Sequence, residues 1–158
     1  MTLILKDAEK KISTEFQKRV TDLMEDRDFT KKDLSKIAGV SIPVLCRITI
    51  YGIIPSLGIL IKLANAFKVS IPYLLAESDD AVFYESEKQE TFQYRLHLLM
   101  EEKNTKYSKI AHQMPFTKNY FYQWERNGTI PSLDYLKCLA EYFNVSIDYL
   151  LGRTDYKN

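Results

Sequence analysis

Apolar residues recur along this chain at spacings of three and four, which places them on one face of a helix. Phe92, Leu96, Leu99 and Met100 form one such stripe and predict a helix over 87–103, with Ser86 and Gln89 at capping-box spacing at its start. Ile110 and Ala111 mark the inward face of a second helix near 107–113. Thr117 is placed to cap a third, which runs to about Arg126 with Phe121 and Trp124 inward and stops at Asn127-Gly128. Ser132 opens a fourth helix that turns Leu133, Leu136, Leu139, Ala140 and Phe143 inward. Ser146 opens a short fifth that buries Ile147, Leu150 and Leu151. No segment alternates convincingly at period two, so the expected fold class is all-α.

The pattern occurs twice. Shifted by 76 residues, the chain aligns with itself without a gap. Phe16-Gln17-x-Arg19 meets Phe92-Gln93-x-Arg95, and Ile54-Pro55-Ser56-Leu57 meets Ile130-Pro131-Ser132-Leu133. Val69-Ser70-Ile71-x-Tyr73-Leu74-Leu75 meets Val145-Ser146-Ile147-x-Tyr149-Leu150-Leu151. About a third of positions 16–76 are identical to their partners, which points to duplicated domains and not to a solenoid. In the first copy Thr30 and Asp33 have capping-box spacing, Ser41, Ser56 and Ser70 are the later caps, and Gly39 falls in a turn that favours positive φ. The expected organisation is a first domain over 1–76, an acidic linker over 77–88 with Val82, Phe83 and Tyr84 available for docking, and a second domain over 89–158.

Composition changes this picture little. The net charge of +1 argues against a generic nucleic-acid binder, so local charge matters more. Lys103, Lys106, Lys109, Lys118 and Arg126 face only Glu125 in one stretch, and Lys31, Lys32, Lys36 and Arg47 face only Asp33 in the other. Cys46 and Cys138 match no metal spacing and are expected as two reduced thiols. No apolar run reaches the ~20 residues that span a bilayer. Met1 to Lys11 lacks signal-peptide architecture, its apolar stretch being Leu3-Ile4-Leu5, so a cytoplasmic location is expected. His97 and His112 read as surface or packing residues. There is no glycine-rich phosphate loop or nucleophile constellation, which leaves no enzyme reading and no expected cofactor.

Trp124-Glu125-Arg126-Asn127-Gly128-Thr129-Ile130-Pro131-Ser132-Leu133, followed by Leu139-Ala140 and by Asn144 through Gly152, resembles the Cro/C1-type (XRE) helix-turn-helix family. Thr30 through Ser41 resembles that family's second helix and turn. The resemblance implies two tandem five-helix lambda-repressor-like domains and a role in bacterial transcription, as in phage repressors, mobile-element regulators and antitoxins. It also implies a third helix in the major groove and a second helix against the backbone. Carried over, it places Lys118, Asn119, Tyr120 and Gln123 on base edges, with Tyr107 standing where the family usually has Gln. The family commonly pairs the residue at Glu125 with an Arg on the first helix. Met100 stands there instead, leaving Arg95, Lys103 or Arg126 as candidate partners, or solvent.

The chemistry suits that placement. Asn119 and Gln123 can pair a donor and an acceptor with adenine, and Lys118 can donate to guanine or phosphate. Tyr120 and Tyr122 can meet a thymine methyl or donate to phosphate, with Tyr122 also a candidate for partial burial. Lys106, Tyr107, Lys109, Tyr122 and Arg126 are backbone-contact candidates. Alone, each lysine reads as an ordinary solvated side chain. As a group, Lys118, Asn119 and Gln123 share the face opposite Phe121 and Trp124. In the first copy the matching positions are Ile42, Pro43, Val44 and Arg47, three of which cannot hydrogen-bond a base edge. Ile42, Pro43 and Val44 are therefore expected at a protein interface, in a homodimer or with another partner. The rival is methyl contacts from Ile42 and Val44, with Lys31, Lys32 and Arg47 on phosphates. The leading expectation is a sequence-specific double-stranded DNA-binding regulator, and the alternative is a protein-interaction module. Neither a membrane nor a small molecule is an expected partner.

Overall fold

A computed structural model describes residues 11–158; Leu3-Ile4-Leu5 lies outside the described residues. The chain divides between Phe83 and Tyr84 into two units. The first contains α1 (Thr14–Asp26), α2 (Lys31–Ala38), α3 (Ile42–Tyr51), α4 (Leu57–Phe67) and α5 (Ile71–Leu74). The second contains α6 (Phe92–Lys103), α7 (Tyr107–Ala111), α8 (Asn119–Asn127), α9 (Leu133–Phe143) and α10 (Ile147–Leu150). The described residues form no strand; an isolated antiparallel bridge joins Ile12 to Ile53.

The two units bury matching positions. Phe16, Leu34, Leu45, Ile48 and Leu60 in the first correspond to Phe92, Ile110, Phe121, Trp124 and Leu136 in the second, and all ten are buried. Left-handed backbone recurs at the same interval, at Asp28 and Asn104, Gly52 and Gly128, Lys68 and Asn144, Ala76 and Gly152. Each of these positions ends a helix or turn, so the stops repeat along with the core. Gln17 donates to the carbonyls of Thr49 and Ile50 at the end of α3, and Gln93 donates to those of Trp124 and Thr129 at the end of α8.

A second device repeats in both units. Arg19 donates to the carbonyls of Tyr73 (2.6 Å) and Ser78 (3.1 Å), pairs with Asp79 and lies over the Tyr73 ring. Arg95 does the same with Tyr149, Thr154 and Asp155, and also pairs with Glu90. Residues 77–79, expected in the linker, thus close the first unit. Tyr84 and Ser86 belong to the second, through Thr154 Oγ1 donating to the Tyr84 carbonyl, Ser86 N–H donating to the Arg153 carbonyl, and Tyr84 packing on Tyr156. Ser86 does not cap α6. Its hydroxyl lies 2.6 Å from both the Lys88 carbonyl and the Asp155 carboxylate, and Thr91 caps the helix by accepting from Tyr94 N–H.

The units differ most at the turn after the second helix. Gly39 takes φ +70° and ends α2. The matching residue is Pro115, whose ring fixes φ near −65° and disfavours helix at the residue before it. Here α7 stops at Ala111, and the chain reaches α8 through a different turn that buries Phe116.

Candidate nucleic-acid interface

Phe121 and Trp124 anchor α8 in the core. On a helical surface their burial turns Lys118, Asn119, Tyr122, Gln123 and Arg126 outward, and all five are exposed. The side chains of Lys118, Asn119, Gln123 and Arg126 have no hydrogen-bond or ion-pair partner among the described residues, so their donors and acceptors are open to a ligand. Thr117 does not cap the helix as expected. Lys118 occupies the cap position with helical dihedrals and no side-chain bond, leaving the first amides of α8 without a side-chain acceptor. Lys106, at the cap of α7, and Lys109, in its last turn, are likewise exposed and unpaired among the described residues.

The aromatic candidates separate. Tyr120 retains 38% of its surface but packs into a cluster with Phe116, Trp124 and Tyr135. Tyr122 is exposed, with its ring edge-on to Tyr107 at 5.4 Å. Tyr107 is half-buried and lies flat on Phe121, with ring centroids 4.6 Å apart. Its hydroxyl donates to Glu125 Oε2 at 3.2 Å, and Glu125 Oε1 lies 3.1 Å from His97 Nε2. Desolvation, followed by the Glu125 charge, pushes the Tyr107 hydroxyl up to about 12. The partners of Glu125 are therefore Tyr107 and His97, and none of Arg95, Lys103 and Arg126. The sequence offers Glu125 a cation or solvent, whereas a phenol stacked on Phe121 of the same helix reaches the carboxylate.

The first unit presents a different surface on the same frame. Thr30 and Asp33 form the expected capping box, with N–H to oxygen distances of 3.1 and 2.9 Å. The Thr30 backbone N–H holds the Asp33 carboxyl below its ordinary range, so a negative charge sits where α2 begins. The second unit has Lys109 at the matching position. Lys31 is half-buried, with Nζ 3.8 Å from Cys46 Sγ, while Lys32 and Arg47 are exposed. Cys46 and Cys138 are free thiols and half-buried. Ile42 is 44% exposed, Pro43 is exposed, and Val44 only half so. Ile37, Ile50 and Tyr51 are each more than half exposed.

The divergence between copies is concentrated here. No position from Asp26 to Tyr51 keeps its residue at the partner position, although the flanking segments keep many. The shared scaffold carries two unlike helix-turn-helix surfaces.

Among the described residues no group of His, Cys, Asp and Glu could hold a metal ion, and no helix is long and apolar enough to cross a membrane. No curated protein and no solved structure matches the chain at a significant level. The helix-turn-helix family does match, twice in tandem, at residues 21–74 and 96–150. Those spans run from within α1 to the end of α5 and from within α6 to the end of α10, so each contains a whole helix-turn-helix pair. The chain belongs to the Cro/C1-type (XRE) helix-turn-helix family, a family of DNA-binding transcriptional regulators, and carries two copies of its domain.

Proposed function

We propose that the second unit reads double-stranded DNA by placing α8 in the major groove. The observation that carries this reading is the outward face of α8, where Lys118, Asn119 and Gln123 stand exposed opposite Phe121 and Trp124, with no side-chain partner among the described residues. Asn119 and Gln123 present the paired donor and acceptor that adenine's major-groove edge requires, and Lys118 suits guanine or phosphate. Lys106, Lys109, Arg126 and Tyr122 flank them and meet the backbone. Tyr120 contributes through its exposed rim. Such a regulator acts as a repressor of the phage or mobile-element kind by occupying its operator. Selection from a random duplex pool tests the reading. A recovered motif that the Lys118/Asn119/Gln123 triple alanine variant fails to enrich supports it, and equal enrichment by both proteins contradicts it.

The first unit has a second role in this proposal. Ile37, Ile42, Ile50 and Tyr51 expose large apolar surface on a helix-turn-helix whose matching positions are polar in the second unit. Apolar surface of this kind favours protein contact. One reading head covers only half of a two-fold operator, so the favoured partner is a second copy of the chain bound through Ile42, Pro43 and Val44. Sedimentation of the wild type and an Ile42→Ser/Val44→Ser variant decides between the readings. A dimer mass halved in the variant supports contact between copies. An unchanged mass with lost DNA affinity moves these residues, with Lys31, Lys32 and Arg47, onto DNA.

A further inference from the structure

We propose that Tyr107 is a positioning residue for α8 that acts through Glu125 and does not itself touch the DNA backbone. The inference rests on the DNA reading of the second unit. Tyr107 opens α7, its ring lies on Phe121 of α8 at 4.6 Å with 6° between planes, and its hydroxyl bonds Glu125 one turn further along the same helix. The stack fixes the distance between α7 and α8, and the hydrogen bond fixes the rotation of α8 about its own axis. His97, on α6, holds the other carboxylate oxygen at 3.1 Å and lies 3.4 Å from the Tyr107 hydroxyl. One carboxylate therefore ties α8 to both preceding helices. The edge of Tyr122 stands against the same ring, so its direction is set as well. A hydroxyl already donating to a carboxylate has no proton left for a phosphate. The first unit has no equivalent: Lys31, Thr49 and Thr21 stand at the three matching positions.

A double-mutant cycle separates positioning from contact. Tyr107→Phe keeps the stack and loses the bond, and Glu125→Gln loses the carboxylate. Affinity for the selected duplex is measured for both variants and their combination, after far-UV circular dichroism has confirmed folding. Each single change is expected to weaken binding by about fivefold, with the double variant no worse than either. Losses that multiply would show that Tyr107 works independently of Glu125 and overturn the proposal. A second readout needs no DNA. In protein carrying 13C at tyrosine Cζ, the Tyr107 hydroxyl is expected to titrate at about 12 and to fall toward the ordinary 10.0 in Glu125→Gln. An unmoved titration overturns the Tyr107–Glu125 link even where DNA binding persists. A wild type that binds no duplex defeats the DNA reading, while the titration still decides whether the two helices are tied together.

Discussion

Arg95 and Arg19 offer the same experiment in two settings. Arg95 is 2% exposed, and its guanidinium serves the carbonyls of Tyr149 and Thr154, the Glu90 and Asp155 carboxylates and the Tyr149 ring. Arg95→Ala leaves the Thr154 carbonyl and the Glu90 carboxylate without their Arg95 donor in a region that water reaches poorly, whereas the Tyr149 carbonyl keeps the Gly152 N–H and Asp155, half exposed, recovers hydration. Removing one partner from a buried ion pair costs about 3–5 kcal/mol. Arg19 makes the same two carbonyl bonds with a more exposed side chain, so its loss costs about 1–2 kcal/mol. A domain of this size is stable by roughly 4–11 kcal/mol, so Arg95→Ala removes a large part of that margin. The assay is selective because the chain has one tryptophan, Trp124, buried in the second unit. Its fluorescence follows unfolding of that unit, while far-UV circular dichroism follows both. Urea titration of Arg95→Ala is expected to lower the fluorescence midpoint by about a quarter or more, and Arg19→Ala to leave that midpoint in place while lowering part of the dichroism transition. A fluorescence-derived loss below about 1 kcal/mol for Arg95→Ala would refute the argument that the clamp closes the second unit.

Further outcomes follow from the same geometry. Gly152 takes φ +73°, and a Cβ there would collide with the Glu90 carbonyl, so Gly152→Ala is expected to lose the cooperative Trp124 transition. At Gly128, also left-handed but with open space around its Cβ, alanine is expected to cost only about 1 kcal/mol by the same titration. The raised Tyr107 hydroxyl sets an alkaline dependence. Below pH 10 the phenol is neutral in both states and its contribution is intact; between pH 10 and about 12 the unfolded chain ionises first and stability falls. That part of the alkaline loss should be absent from Tyr107→Phe when midpoints are compared across pH.

The frame of the fold is legible in the sequence because it repeats. Helical spacing, the Thr30 and Asp33 box and Gly39 all carry local chemistry that needs no tertiary partner. Structure departs from local pattern where a tertiary partner decides. Ser86 has capping chemistry, but Asp155 from the far end of its unit engages it, and Thr91 is left to cap α6. Residues 77–79 look polar and unstructured and so read as linker, yet Ser78 and Asp79 meet Arg19, as Thr154 and Asp155 meet Arg95 one repeat later. Pro115 stands where the first unit has a left-handed glycine, and the turn there differs. The exposed set on α8 was readable from periodicity alone. The engagement of Tyr107 was not, since nothing in the spacing of Tyr107, Phe121 and Glu125 shows that they meet.

The proposal that α8 of the second unit is the reading head stands on the unlike surfaces of the two units. The most direct test is fluorescence anisotropy of a selected duplex against the wild type and the Lys118/Asn119/Gln123 triple alanine variant, across a series of salt concentrations. Log affinity of the wild type is expected to fall linearly with log salt. The variant is expected to bind the selected site no better than a scrambled duplex. A variant that keeps the wild-type preference for its site would contradict the proposal.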